Sequence, residues 1–166
     1  MYQLGDRFMY GAHGVCEILD IEQRRIDKKN IEYYVLSPVG NSKACFYIPT
    51  QNPKALSKLS PLLTIEELKT LLVEQANSDD VWLEDENARR QKLKEVMASC
   101  QHAELISWVR AMHIHRRSLC SSGKKFHQAD ETFLKDAEKI LLTEFSIVLD
   151  IPVTSVTDYI HELLLQ

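Results

Sequence analysis

The chain has 166 residues, of which 45% are hydrophobic and 27% are charged. This composition is typical of a globular protein with one domain or two small ones. No stretch approaches the roughly 18 consecutive apolar residues that a membrane-spanning helix needs. Residues 1–6 contain neither the basic nor the apolar region of a secretory signal. We therefore expect a cytoplasmic protein that does not span a membrane.

The net charge of −4 argues against indiscriminate binding to nucleic acids. The charge is unevenly distributed, because residues 83–127 carry nine Lys and Arg against five Asp and Glu, and both flanking segments are net negative. This middle segment is the only part that we expect to face DNA. The four cysteines, at positions 16, 45, 100 and 120, form no C-x-x-C pair, so we expect reduced thiols.

The first fifty residues have a β pattern. Short runs rich in β-branched and aromatic residues alternate with turn residues at about ten-residue intervals. The predicted strands cover residues 4–10, 15–22, 31–36 and 43–48, with turns at 11–14, 27–30 and 38–41 and with Pro49 ending or edging the last strand. Strands this short and this close in sequence favour a small closed or half-closed barrel, Tudor-like or SH3-like, over residues 1–60.

The remainder of the chain predicts a bundle of about five helices over residues 61–166. Beyond Pro61, Gly123 is the only glycine and Pro152 the only proline. The predicted helices cover approximately residues 64–75, 82–98, 102–119 and 130–149, followed by a short one after Pro152. Thr64 and Glu67 have the spacing of a capping box. The second helix is expected to start near Trp82 or Leu83, with Asp79 or Asp80 at its N-terminus. The predicted fold class is therefore α+β.

Several short motifs together resemble one protein family. They comprise Gly5-Asp6, Tyr10, His13-Gly14-Val15, Ile21-Glu22, Tyr33-Tyr34-Val35-Leu36, Ile48-Pro49, Trp82 and the alanine- and leucine-containing helix at residues 136–145. Their order resembles the CarD/CdnL family of bacterial transcription factors, whose polymerase-interacting domain also occurs in the transcription-repair coupling factor. The resemblance covers nearly the whole chain. It implies a transcription regulator that binds the RNA polymerase β subunit through its N-terminal domain and stabilises the promoter open complex through its helical domain.

The resemblance also implies a polymerase-binding surface. In the family, an edge strand of the barrel pairs with a strand of polymerase, so that backbone hydrogen bonds supply affinity. The corresponding residues here are Glu22, Arg24, Arg25, Phe46, Tyr47, Ile48 and Pro49. Arg24 matches a basic position of the family, with a solvated turn arginine as the alternative. Tyr47 stands where well-known members carry a basic residue, although tyrosine is itself enriched at interfaces.

Trp82 is the most specific single candidate for a residue that contacts DNA. In the family, a tryptophan at this place wedges into the minor groove at the upstream edge of the melted promoter, as apolar wedges commonly do. The alternative is that Trp82 packs against the protein, because tryptophan is usually mostly buried. Known DNA-binding members follow this tryptophan with basic residues. Here three acidic residues follow at 84–86, which favours weak DNA contact or a shifted register.

The predicted DNA-binding residues are Trp82 and a set of cations in the basic segment. The cations are Arg89, Arg90, Arg116, Arg117, Lys124 and Lys125. Phosphate contacts of this kind position a protein without reading sequence, so the expected partner is promoter DNA near the upstream fork, bound weakly. The alternative is a set of solvated helix faces. Lys124 and Lys125 are the strongest pair because they precede a helix N-terminus.

Catalytic motifs are missing from the sequence. It has no Gly-rich phosphate loop, no G-x-S-x-G and no H-E-x-x-H. His113 and His115 point about 200° apart on a helix, so they cannot share a metal. We expect no enzyme activity, metal, cofactor or small-molecule substrate. Two alternatives remain: a polymerase- or protein-binding module without DNA wedging, and a small enzyme on the helical domain, which would need a pocket with a perturbed titratable residue.

Overall fold

The computed structural model of the chain describes residues 1–41 and 43–165. The fold is α+β, as the sequence predicts, and the chain divides into two units, Met1–Leu62 and Leu63–Gln166. Within the described residues, no single helix is long and apolar enough to cross a membrane. The last two helices, Gln128–Leu149 and Val153–Leu164, satisfy the length and composition only as a pair that is bent by 83°.

The described part of the first unit is built on a five-stranded antiparallel sheet. Its strands are β1 (Arg7–Tyr10), β2 (Val15–Ile26), β3 (Lys29–Pro38), β4 (Phe46–Pro49) and β5 (Leu59–Pro61), in the order β4-β3-β2-β1-β5. A 3₁₀ turn follows β1 and a short helix, α1 (Pro53–Leu56), precedes β5. The predicted closure into a barrel is not confirmed, because the described strands form an open sheet with β4 and β5 as its edges. The sequence did not predict β5.

The long hairpin of β2 and β3 gives the sheet its register. Asp27 and Lys28 both have positive φ, 49° and 65°, as the two central residues of a type I′ turn do. The predicted turn at this place is confirmed. The register shifts between Ile18 and Asp20, and Leu19 at this irregularity is 51% exposed.

One face of the sheet forms the core of the first unit. Its buried side chains are Cys16, Ile18, Tyr34, Leu36, Ile48 and Leu59, with Phe8, Tyr10 and Phe46 packed against them. Because successive side chains alternate between the faces of a strand, Tyr33 and Tyr47 project from the opposite face. Tyr47 is exposed there. Val35, which pairs with Tyr47 on the same face, is buried, so this face is open to solvent at Tyr47 but not along its whole length.

The described residues of the second unit, 63–165, form five helices. They are α2 (Ile65–Ala76), α3 (Glu86–Ser99), α4 (His102–Ser121), α5 (Gln128–Leu149) and α6 (Val153–Leu164). The capping box of α2 is confirmed, since Thr64 Oγ1 accepts the Glu67 N–H at 3.2 Å and Glu67 Oε2 accepts the Thr64 N–H at 2.8 Å.

The predicted start of α3 is wrong. The helix begins at Glu86, and Asp85 caps it by accepting the Ala88 N–H at 2.7 Å. Asp80 is not the cap, because its carboxylate instead accepts hydrogen bonds from the Trp82 N–H and from His115. Trp82 therefore lies before the helix, on non-helical backbone.

Trp108 is the largest fully enclosed side chain of the helical unit, with only 2% of it exposed. The other buried side chains of this unit include Leu68, Leu105, Met112, Leu134 and Phe145. The buried side of α4 carries Leu105, Trp108, Ala111 and Met112, whereas Ile114 is 45% exposed.

A buried carboxylate fixes the start of the helical unit. Glu144 is fully buried, accepts the Leu63 N–H at 3.0 Å and lies 2.7 Å from His102 Nε2. Buried charges are tolerated where they are paired and hydrogen-bonded. Glu144 thus ties the segment before α2 to α4 and α5.

Candidate functional site

The edge strand β4 has backbone groups that do not pair with β3. The Thr50 N–H donates to the Glu32 carbonyl at 3.0 Å, and β4 then pairs Pro49 with Tyr33 and Tyr47 with Val35. Hydrogen-bonded and non-hydrogen-bonded pairs alternate along an antiparallel ladder. Tyr47 and Pro49 therefore occupy positions whose backbone groups point away from β3. Pro49 has no N–H to leave unsatisfied there, whereas Tyr47 offers both an N–H and a carbonyl.

Tyr47 and Arg24 form an organised cluster beside this edge. The Arg24 guanidinium carbon lies 3.7 Å from the centroid of the Tyr47 ring, and Arg24 Nη2 lies 3.2 Å from Glu22 Oε2. Arg24 and Glu22 are exposed to 44% and 38%, so the ion pair adds little to stability. A cation over an aromatic ring is attracted by the ring's quadrupole. The cluster therefore presents a positioned guanidinium and an aromatic ring to solvent, next to backbone donors and acceptors that do not pair with β3.

The other residues predicted at this surface are placed differently. Ile48 is 3% exposed and belongs to the core, and Phe46 packs against the core with its ring 5.3 Å from that of Tyr10. Only their backbone lies at the edge. Arg25 is exposed and pairs in register with Asn30 near the hairpin end. The structure thus brings Glu22, Arg24 and Tyr47 together and leaves Arg25 apart from them.

Trp82 in the second unit is half-buried and held by aromatic and cationic neighbours. The His115 imidazole stacks on its indole with the ring centroids 4.0 Å apart and the planes inclined by 12°. The Arg89 guanidinium carbon lies 4.5 Å from the indole centroid. The Trp82 N–H donates to Asp80 Oδ1 at 3.1 Å. In this conformation, His115 covers a face of the ring that a DNA base would need for stacking.

Asp80 links Trp82 to His115. Its Oδ2 lies 2.7 Å from His115 Nε2. Burial raises the pKa of Asp80, but the hydrogen bonds from His115 and the Trp82 N–H lower it by a larger amount. The pKa of Asp80 therefore lies below its ordinary value. The carboxylate form of Asp80 is therefore the one that the arrangement around Trp82 stabilises.

Arg89 lies in the interior and not on the predicted DNA surface. Its side chain is 3% exposed, and that of its partner Asp130 is 4% exposed, with Nη2 to Oδ2 at 2.9 Å and Nε to Oδ1 at 3.1 Å. Nη1 also donates to the Leu83 carbonyl at 2.8 Å. The guanidinium is engaged within the protein, so we exclude Arg89 from the candidate phosphate contacts.

The remaining predicted cations lie on the surface, and they differ in whether they form an ion pair with a described residue. Arg90 pairs with Glu86 at 2.7 Å, and Arg116 pairs with Glu131 at 3.2 Å. Arg117, Lys124 and Lys125 are exposed, and the described residues show no ion pair for them. Lys124 and Lys125 lie between α4 and the start of α5 at Gln128, so this prediction about their position is confirmed.

Three residues of this site escaped the sequence reasoning. They are Asp80, His115 and Asp130. A signal was present for Asp130, because it falls in the helical phase of the buried Phe133, Leu134 and Ala137, and a carboxylate on a buried stripe requires a cation. No such signal marks His115, because its partners lie far away in sequence.

The histidines of α4 have separate partners. His113 Nε2 pairs with Glu138, whereas His115 pairs with Asp80. Among residues 1–41 and 43–165, no group of three or more His, Cys, Asp or Glu side chains is placed to hold a metal ion.

The first unit is a sheet with a free edge, the class of domain that can accept a strand from a partner. Residues 2–60 match the family model of the CarD-like/TRCF RID domain. This part of the chain is therefore a CarD-like RNA polymerase-interacting domain, a protein-interaction module. No significant match to a curated protein is found.

Proposed function

We propose that the protein is a transcription regulator that binds the β subunit of RNA polymerase through its first unit and stabilises the promoter open complex through its helical unit. The family of residues 2–60 supports polymerase as the partner. The single observation that carries the proposal is the β4 edge, where Tyr47 has outward-facing backbone groups and a ring contacted by Arg24. The proposal places the protein in the cytoplasm, together with polymerase.

The proposed docking step is the addition of a polymerase strand to β4. Strand addition draws its affinity from main-chain hydrogen bonds and its specificity from alternate side chains. Here the alternate side chain on the solvent face is Tyr47, supported by Arg24. Arg24 is in turn anchored by Glu22 at 3.2 Å, which holds the cation beside the edge. An acidic residue on the added strand would complement Arg24.

The experiment for this step replaces Tyr47 by Pro and by Phe and measures binding of the full chain to RNA polymerase. Tyr47→Pro removes an N–H that β3 does not use, so the sheet is expected to stay folded while binding is lost. Tyr47→Phe is the matched control, and it keeps both the N–H and the ring under Arg24. Equal binding by both variants would contradict docking through β4.

The proposed second step is a contact between the helical unit and the melted promoter. The exposed cations Arg117, Lys124 and Lys125 are the phosphate contacts that we propose. A contact made to the open but not the closed promoter, worth ~1.4 kcal/mol, shifts that equilibrium tenfold. Weak intrinsic affinity for DNA suffices, because tethering to polymerase raises the effective concentration. In this step Trp82 acts as the wedge after it separates from His115.

A second candidate function is a polymerase-binding module that does not wedge DNA. The observation that favours it is the enclosure of Trp82 by His115 and Arg89, with Arg89 fixed by Asp130. A promoter-opening assay with Trp82→Ala separates the two functions. Under the wedge proposal, the variant binds polymerase normally but opens promoters less. Under the module proposal, promoter opening is unchanged.

A further inference from the structure

The helical unit contains a cavity of about 380 Å³ among α2, α4, α5 and α6. This volume lies in the range of about 300–1,000 Å³ that is typical of small-molecule sites. Most of the wall is apolar, and it includes Ile106, Val109, Leu142, Ile160 and Leu164. Four of these side chains are partly buried and Leu164 is exposed, so the cavity is open to solvent. The cavity therefore leaves apolar surface in contact with water.

The amphipathic helix α6 forms one wall of this cavity. Val156 is its one fully buried residue among those described, whereas Ile160 and Leu164 face the cavity. Apolar surface of this kind gains free energy when a ligand removes it from water. An apolar chain entering between α6 and α4 would bury this surface without any change in the helix packing.

The polar groups of the cavity include one cation that retains hydrogen-bonding capacity. Arg110 Nη1 donates to the Ser78 carbonyl at 2.9 Å, which fixes the guanidinium but uses only part of its set of five donors. Glu138 also lines the cavity, but it is paired with His113. Gln75 and Thr157 also line the cavity, and Gln75 Oε1 already accepts a hydrogen bond from Ser107. Arg110 is thus the group best suited to recognise an anion.

We propose that this cavity binds a small amphipathic acid, a medium-chain fatty acid in chemical class, with its carboxylate on Arg110 and its chain against the apolar wall. Guanidinium groups bind carboxylates with charge-assisted and often bidentate hydrogen bonds. The apolar wall supplies the free energy of binding and Arg110 supplies the preference for an acid. The cavity wall contains neither Trp82 nor a residue of β4, so the proposal does not depend on the proposed transcription function.

The test is calorimetric titration of the full chain with decanoate and with decanol, its neutral counterpart, below their aggregation concentrations. The expected result is saturable binding of one decanoate per chain, at least tenfold tighter than decanol. Arg110→Met is expected to abolish that preference, and Arg110→Lys to retain part of it. Lys139→Met is the control, an exposed cation of α5 outside the cavity wall, and it is expected to bind decanoate normally.

A second variant tests whether decanoate binds in this cavity. Leu142→Trp fills the cavity from α5 and is expected to abolish binding of both ligands, with the helical circular dichroism of the wild type as the check on folding. If Leu142→Trp does not fold, chemical-shift changes at the Ile106 and Ile160 methyl groups of the wild type on adding decanoate take its place. The proposal is overturned if decanoate does not bind, if decanol binds equally well, or if folded Leu142→Trp binds decanoate as the wild type does.

Discussion

The imidazole of His115 lies parallel to the indole of Trp82, with the ring centroids 4.0 Å apart. Asp80 holds this pair together, because its carboxylate binds the His115 ring and the Trp82 backbone. A histidine thus occupies the place on the indole that an unstacked base would take in a wedge. Under the proposed function, separation of His115 from Trp82 is part of the free energy of DNA engagement.

Replacing His115 by Ala is therefore expected to lengthen the lifetime of open promoter complexes. The substitution removes the competitor for the indole face and leaves Arg89 and Asp130 in place. The measurement is the decay of open complexes after addition of a competitor, with polymerase saturated by the regulator. His161→Ala, which changes an exposed histidine of α6, is the control. A lifetime shorter than that of the wild type would mean that His115 supports the DNA-bound form.

The Arg89–Asp130 pair is expected to dominate the stability of the helical unit among its ion pairs. Arg89→Met leaves Asp130 buried without its cation, and breaking such a pair costs about 3–5 kcal/mol. The double variant Arg89→Met, Asp130→Leu removes both charges and is expected to recover much of that loss. Urea denaturation of the three proteins measures the effect. A loss of less than about 1 kcal/mol for Arg89→Met, the range of exposed pairs, would contradict a buried pair.

Asp80 is expected to make a stabilising contribution that disappears in acid. Its pKa in the folded protein lies below the ordinary value of 3.8, so its contribution is present above that pH and is lost as the pH falls through the lower, folded value. The difference in unfolding free energy between the wild type and Asp80→Asn is therefore expected to be constant near neutrality and to shrink below pH 3.8. Persistence of the full difference in strong acid would contradict this assignment.

The cysteines are expected to divide into two reactive and two unreactive thiols. Burial raises the pKa of the Cys16 thiol to about 11, and burial together with the charge of Glu144 raises the pKa of Cys100 to about 11. Cys45 and Cys120 are exposed. A thiol reagent at pH 8 is expected to modify Cys45 and Cys120 quickly, because the thiolate is the reactive form, and the other two only after unfolding. Mass spectrometry identifies the sites.

The same two buried thiols predict a loss of stability in alkali. Their folded pKa values exceed the ordinary value of 9.0. Their contribution is therefore complete below pH 9 and is lost as the pH rises toward 11. The variant Cys16→Ala, Cys100→Ala is expected to have a flatter dependence of unfolding free energy on pH over this interval.

Local features of the fold follow from the sequence, and long-range pairs do not. The turn at Asp27 and Lys28 and the capping box of Thr64 and Glu67 are set by neighbouring residues, and both predictions are confirmed. The pairing of β5 with β1 joins distant segments and was missed. Likewise, the sequence pattern predicts that Arg89 lies on the surface. Its burial depends on Asp130, which lies 41 residues away.

In the candidate site, too, local features could be predicted from the sequence and long-range contacts could not. Tyr47 and Pro49 could be placed at an edge from the proline and the family resemblance, but the contact between Tyr47 and Arg24 depends on the register of three strands. The acidic residues after Trp82 indicated weak DNA contact. They did not indicate that His115, from α4, would stack on the indole.

The measurement that tests the central claim most directly is binding of the full chain to the isolated lobe of the RNA polymerase β subunit from the same organism. The account predicts saturable binding that Tyr47→Pro abolishes and Tyr47→Phe preserves. Failure of the folded wild-type chain to bind either the lobe or intact polymerase would contradict the proposed tether, and with it the transcription function.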